Sequence, residues 1–262
     1  MERKLNIKKC LEVGIKAAET AGGILLRERG RRRAIRYKGE INLVTDADLK
    51  SQEALVRTIS RAFPDHAFLV EEKDKSLSRR ESDCRWIIDP LDGTTNFVHG
   101  YPFFSISIAL RVQNRVELGI VYLPFLREMF TAVRGEGAFL NRKKIRVSRA
   151  GKIGKSLLVT GFPYYIHERS RRVLAEFNRV VRAARGIRRD GSAAIDLAYV
   201  ACGRFDGFFE RDLKIWDVSG GDLLVTEAGG RVTDYRAGRS GLPSEIVATN
   251  GKIHRQLLNL IN

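Results

Sequence analysis

The sequence predicts a layered α/β protein, and three patterns predict it. Residues 103–140 form short apolar runs separated by Asn, Pro and Gly, as an antiparallel meander would. Residues 156–261 alternate short apolar strands with helical periodicity. Amphipathic helical patterns precede the meander.

Residues 5–29 carry Leu11, Ile15, Ala18, Ile24 and Leu25 at helical spacing, and Gly30 supplies the stop. Residues 41–45 read as extended. Thr45 is set to cap a helix through Phe63, with Asp46 and Asp48 in a first turn whose dipole favours acids. Pro64–Asp65 closes that helix. Ala67–Val70 and Trp86–Ile88 read as buried strands. In the meander, Ser105–Ile108 alternates, and Val116–Tyr122, Met129–Val133 and Ala138–Leu140 follow. After Ser156–Thr160, helices are expected at about 169–184, 193–202, 217–228 and 251–261. Strands fall between them near 187–189, 207–210, 231–233 and 246–248.

A chain of 262 residues can bury a substantial core as one domain, residues 1–262, with halves at about 1–150 and 151–262. No apolar run approaches the roughly 20 residues that cross a bilayer, so no membrane partner is expected. The start, MERKLNIKKC, lacks the apolar stretch of a signal peptide. Cys10, Cys84 and Cys202 show neither zinc nor disulfide spacing, which points to a reducing cytoplasm. The net charge of +16 is concentrated in Arg27–Lys38, Arg142–Lys155 and Arg179–Arg189. Such a surface suits plain solvation, nucleic acid, an anionic membrane surface or anionic metabolites. It has little of the aromatic interleaving that a single-strand stacking platform needs.

The segment Trp86–Ile87–Ile88–Asp89–Pro90–Leu91–Asp92–Gly93–Thr94–Thr95–Asn96–Phe97 concentrates the chemistry. An apolar strand delivers Asp89, and Pro90 is expected to stop that strand. Asp92 follows within one tight turn, so both carboxylates can aim at one point. Gly93 allows unusual dihedrals. Thr94 and Thr95 add amides and hydroxyls at an expected helix start, a setting that favours a phosphate dianion. Two close carboxylates stay ionised together only with cations between them. Hard cations such as Mg²⁺ prefer those oxygens. The pattern suggests metal-assisted phosphoryl hydrolysis. Spacing alone leaves an Asp-Pro turn before a capped helix equally open. Two further acidic features stand apart: Glu71–Glu72 after Phe68–Leu69–Val70, and Asp217 in Ile215–Trp216–Asp217–Val218, with Gly220 and Gly221 allowing close packing behind it.

The chain resembles the inositol monophosphatase family, within the lithium-sensitive, Mg²⁺-dependent phosphatase superfamily. The resemblance runs from Lys38 to the C-terminal helix. Asp89–Phe97 looks like the family's first signature and Trp216–Asp222 like its second. Asn42–Asp48 and Glu71–Glu72 stand in the expected order. The resemblance implies an αβαβα sandwich of the sugar-phosphatase type and a homodimer. It implies two or three Mg²⁺ ions. Glu71, Asp89 and the Leu91 carbonyl would hold one, Asp89, Asp92 and Asp217 a second, and Glu71 with water a weaker third. Asp48 and Thr94 would orient the attacking water, with Lys38 nearby. Gly93, Thr94 and Thr95 would contact the phosphate. Asp92, Gly191, Ser192, Ala193 and Glu210 would meet the substrate's alcohol side.

The expected substrate is a small phosphorylated polyol or sugar, first of all myo-inositol monophosphate. One departure bears on this choice. Animal members carry a histidine two residues before the Trp-Asp of the second signature, and this chain has Lys214. A cation at the rim suits a more anionic ligand, so fructose-1,6-bisphosphatase activity is the alternative. Relatives that act on adenosine 3′,5′-bisphosphate carry lysine after Asp-Gly-Thr, where this chain has Thr95. Some bacterial relatives also serve transcription, so the basic stretches leave an added RNA-associated role open.

Overall fold

The computed structural model describes residues 5–29, 35–38, 42–72, 82–163, 166, 170–238 and 244–262, and of 35–38 and 42–45 the backbone alone. The first half contains α1 (Ile7–Glu28), β1 (Ile35–Lys38), β2 (Asn42–Thr45), α2 (Asp46–Ala62), β3 (Ala67–Val70), β4 (Cys84–Asp92) and α3 (Thr94–Val98). The meander follows as β5 (Ser105–Val112), β6 (Arg115–Leu123), β7 (Glu128–Val133), β8 (Gly137–Leu140) and β9 (Lys143–Lys144). The second half holds β10 (Leu157–Thr160), α4 (Ser170–Ala183), β11 (Gly186–Arg188), α5 (Ala193–Ala201), β12 (Gly207–Glu210) and α6 (Ile215–Glu227). It ends with β13 (Arg231–Thr233), β14 (Ile246–Thr249) and α7 (His254–Ile261).

A seven-stranded sheet runs β3-β4-β5-β6-β7-β8-β9, antiparallel except for the parallel β3–β4 pair. A five-stranded sheet runs β11-β10-β12-β14-β13 and mixes parallel with antiparallel pairs. α1 and α2 cover one face of the large sheet, and α5 and α6 lie between the two sheets. α4 and α7 pack together on the outer side of the small sheet. The order is therefore helix, sheet, helix, sheet, helix, the expected αβαβα sandwich.

Each interlayer space has its own apolar core. Trp86, Phe97, Phe104 and Leu55 fill the space under α1 and α2. Phe130, Phe208, Leu224 and the eight apolar residues of α5 fill the middle. Val180, Phe209, Leu257 and Ile261 fill the outer space. A helix buried on every side has no polar face to show, and α5 fits that rule.

α6 approaches the large sheet through glycine. A Cβ on Gly119 of β6 would stand 2.6 Å from the Gly220 carbonyl oxygen. No larger residue fits between these backbones. One on Gly221 would meet Leu197 of α5 at 2.5 Å, so the close packing expected behind Asp217 is present.

Several expectations need correction. Pro90 does not end the strand: β4 runs from Cys84 to Asp92. Asp89 pairs with Ser107 and Asp92 with Ser105, with a register shift between them. One extra residue on β4 makes this a bulge, where a sheet tolerates a proline. α6 starts at Ile215 rather than at 217, and α7 at His254 rather than at 251. The side chains of Thr45 and Lys38 lie outside the described residues, and so does Gly30.

Candidate active site

The bulge in β4 is the foundation of the site. It turns Asp89 and Asp92 out of the regular pleat. The Leu91 N–H donates to Asp89 Oδ1 at 2.9 Å and closes the turn. Asp89 is 2% exposed. Gly93 follows at φ +90°, ψ 36°, a left-handed conformation. A Cβ there would also meet the Phe103 carbonyl oxygen at 2.9 Å. α3 then begins at Thr94, as expected of this turn.

α2 is pinned onto the bulge. Ser51 donates its hydroxyl to the Pro90 carbonyl at 2.7 Å. This brings Asp48, fully buried, to Thr94: the Thr94 hydroxyl lies 3.3 Å from Asp48 Oδ1 and 3.0 Å from the Leu91 carbonyl. The Gln52 side chain brackets Glu72, donating to its carbonyl at 3.1 Å and accepting its N–H at 3.2 Å. The Glu71 N–H donates to the Ile88 carbonyl, so the acidic pair stays beside β4.

α6 brings the next acid. Ser107, the residue opposite Asp89, donates to the Trp216 carbonyl at 3.1 Å. Asp217 Oδ2 accepts the Lys214 N–H at 2.6 Å and caps the helix. The Lys214 side chain is exposed. α5 contributes its start: Asp92 Oδ2 accepts the Ser192 hydroxyl at 2.6 Å and the Ala194 N–H at 2.8 Å. Ser192 also caps α5. Asn96 ties the turn to this region by donating to the Phe103 and Asp190 carbonyls, both at 2.7 Å. Gly191 stands there at φ +85°, and Thr95 is exposed.

The electrostatics record the convergence. Burial first, then the charges of Glu71, Asp92 and Asp217, push the Asp89 carboxyl well above its ordinary value. Burial and the nearby charges of Asp92 and Glu71 raise Asp217 to about 8. Burial raises Asp92 to about 6, against the hydrogen bonds from Ser192 and the backbone. Glu210, at the end of β12, is pushed up to about 8 by burial and by Asp217 and Asp92, with Arg189 pulling the other way. Asp48, Glu71, Asp89, Leu91, Asp92, Gly93, Thr94, Gly191, Ser192, Ala193, Glu210 and Asp217 thus come together from α2, the end of β3, β4, the start of α3, the start of α5, β12 and α6.

Three contributors escaped the sequence reading. Arg189 supplies positive charge near Glu210 and Asp196. Asp196 of α5 is 1% exposed, and neither of its carboxylate oxygens has a hydrogen-bond partner. Its signal was an acid inside the apolar run Ala193–Ala201. Gly161 makes room for Glu210, because a Cβ there would overlap the carboxylate oxygens.

Whether these residues suit a hard cation is a question of donors. They offer carboxylate oxygens and the Leu91 carbonyl, with neither imidazole nor thiolate. That set fits Mg²⁺. Among the described residues, no three His, Cys, Asp or Glu side chains are arranged to hold a metal ion unaided. Asp217 and Asp92 each direct an oxygen at backbone or hydroxyl donors. Mg²⁺ keeps several waters and shares phosphate oxygens, so it does not require a closed protein cage.

Comparison with known proteins agrees with the geometry. The model of the inositol monophosphatase family matches residues 6–262. The chain is 45% identical over 254 residues to "Nus factor SuhB" of Haemophilus influenzae, covering 96% of this chain and 95% of that one. It is 43% identical over 249 residues to "Inositol-1-monophosphatase" of Synechocystis, covering 94% and 86%. The crystal structure of extragenic suppressor protein suhB from Bartonella henselae superposes with a TM-score of 0.92 at 40% identity, covering 97% and 98%. The chain belongs to the inositol monophosphatase family, and so to a family of phosphoric monoester hydrolases.

Proposed function

We propose that the protein hydrolyses myo-inositol monophosphate, or a closely similar polyol phosphate, with Mg²⁺. The observation that carries this reading is the meeting of Asp89, Asp92, Asp217 and Glu71 beside the Gly93–Thr95 turn. Glu71, Asp89 and the Leu91 carbonyl would hold one Mg²⁺, Asp89, Asp92 and Asp217 a second, and Glu71 with water a third. Bound Mg²⁺ would make the attacking water more acidic and neutralise charge on the phosphoryl oxygens. Thr94 and Asp48 stand in contact and would orient that water and hold its proton. Lys38 is assigned beside them by family resemblance. Backbone and hydroxyl donors of Gly93, Thr94 and Thr95 would receive the phosphate. Asp92, Glu210 and Gly191–Ala193 would accept or donate hydrogen bonds to the alcohol. The same reading carries lithium inhibition, a homodimer and a cytoplasmic setting.

A second reading within the family is fructose-1,6-bisphosphate hydrolysis, favoured by the exposed Lys214 and by Arg189. An RNA-associated role is a further addition, supported by the relatives named as Nus factors and by the charge of +16. Among the described residues, no helix is long and apolar enough to cross a membrane.

The test is a panel of esters assayed with Mg²⁺: inositol 1-phosphate, fructose 1,6-bisphosphate, histidinol phosphate and adenosine 3′,5′-bisphosphate. The highest kcat/KM is expected for inositol 1-phosphate. A higher value for the bisphosphate sugar moves the assignment to the second reading. No phosphate release from any ester rejects both. Retention on RNA that falls steeply with salt would support the added role.

A further inference from the structure

At its end β12 alternates across the small sheet. Phe208 packs in the middle core and Phe209 in the outer one. The same alternation aims Glu210 at the middle layer, where the site lies, and Arg211, the next residue, at α4. The ladder is thin at this point. β10 stops opposite Phe209, so Glu210 is paired on one side only, with Ile246 of β14. The Glu210 carboxylate lies over Gly161 and makes no hydrogen bond among the described residues. Its aim is therefore set by the backbone that carries it.

Arg211 grips that backbone from the opposite face. Its guanidinium forks onto Glu176 of α4: Nη2 donates to Oε1 at 2.9 Å and Nε to Oε2 at 3.0 Å. Nη1 donates to Glu245, which the β12–β14 register places opposite Arg211. The guanidinium also lies 3.9 Å from the ring centre of Tyr235, a buried member of the outer core. The Arg211 side chain is 11% exposed and that of Glu176 4%. A bidentate pair at this depth fixes orientation as well as position. Asp217, at the other end of the link formed by residues 211–214, has anchors of its own. The Leu213 N–H donates to the Ser244 carbonyl at 2.7 Å, and Ser107 holds the Trp216 carbonyl.

We propose that Arg211 is a positioning residue for substrate selection: its clamp on the outer face fixes where Glu210 presents its carboxylate to the alcohol half of the substrate. This rests on the reading of Glu210 as an alcohol contact. Arg211 thereby governs discrimination between polyol phosphates and esters without hydroxyls, and the phosphate end of the site does not depend on it.

Steady-state kinetics of the full-length protein with Mg²⁺, on inositol 1-phosphate and on propyl phosphate, test this. Arg211→Met keeps the stem and loses the fork, but it strands the buried Glu176. The double variant Arg211→Met/Glu176→Gln removes that stranded charge and should melt closer to the wild type; it carries the test alone if Arg211→Met does not fold. Both variants are expected to raise KM for inositol 1-phosphate by about five- to tenfold. KM for propyl phosphate and inhibition by inorganic phosphate should not change. In a Glu210→Ala background, Arg211→Met should add nothing to the KM effect. The proposal is overturned if KM for inositol 1-phosphate returns to the wild-type value with stability in the double variant, or if propyl phosphate suffers equally. A Glu210→Ala effect on that KM without an effect of the arginine variants removes this proposal alone. If Glu210→Ala leaves that KM unchanged, or if the wild type does not turn over inositol 1-phosphate, the functional reading falls and this proposal with it.

Discussion

Asp92 sits between two layers and two tasks. One carboxylate oxygen takes the Ser192 hydroxyl and the Ala194 N–H, which fixes the start of α5. The rest of the group faces Asp217 and Glu210. Asparagine keeps an acceptor for α5 and removes a buried negative charge. Asp92→Asn is therefore expected to fold with equal or higher stability in chelator. It should lose activity by about 100-fold or more, beyond what loss of a supporting contact costs. Comparing its melting temperature and its kcat with those of the wild type checks both halves, and near-normal turnover would remove Asp92 from the metal set. Gly161 gives a second test at this scale. Gly161→Ala must displace the Glu210 carboxylate. KM for a polyol phosphate should rise about tenfold, the loss of a hydrogen bond or two. Inhibition by inorganic phosphate, which lacks the alcohol, should not change; an equal change in both would place Glu210 outside the alcohol subsite.

Elements carry these residues, and here the sequence was unevenly informative. The meander and the strand–helix alternation were legible because periodicity reports directly which faces are buried. The bulge at Pro90 was not, because proline terminates most strands and is admitted only at such irregularities. The αβαβα order came from family resemblance, since periodicity does not say which sheet a helix joins. The acids at Asp89 and Asp92 could be read as a pair from their spacing. Their meeting with Asp217 and Glu210 depends on α6 crossing the large sheet and on the placement of β12 in the small one, which no local pattern encodes. Asp196 and Arg189 were missed because one lies in a helix with no polar face and the other at the end of a basic run. The crossing itself is testable. Gly119→Ala forces a methyl group against the Gly220 backbone, which cannot move as a side chain can. It should cost about 1–3 kcal/mol, as overpacking does. It should also weaken Mg²⁺ binding by shifting Asp217, so activity at limiting Mg²⁺ should fall more than at saturating Mg²⁺. An unaltered Mg²⁺ response in a destabilised protein would separate the crossing from the site.

For the whole molecule, the acids where the layers meet govern stability against pH. Folding raises Asp92 from 3.8 to about 6, Asp217 from 3.8 to about 8 and Glu210 from 4.5 to about 8. These shifts run opposite to those of a salt-bridged carboxylate. Between each ordinary value and its raised one, the folded state holds more protons than the unfolded chain. Stability of the metal-free protein must then fall as pH rises through that window. Below about pH 5 the charge of +16 grows as the other acids protonate, and that repulsion acts in the reverse sense. His254, held by burial at about 4 in the folded protein against 6.5 in the unfolded chain, also acts in the reverse sense up to about pH 6.5, so the clean interval is pH 6.5 to 8. In chelator the melting temperature should drop by several degrees across it, at about 2–4 °C per kcal/mol for a chain of this size. Mg²⁺ added at pH 8 should restore most of the loss, because a cation that binds only the folded cluster stabilises it by mass action. Asp92→Asn should flatten the decline, since it removes one of the repelling charges. A melting temperature that stays level or rises between pH 6.5 and 8 in chelator would mean that these carboxylates do not face one another in solution.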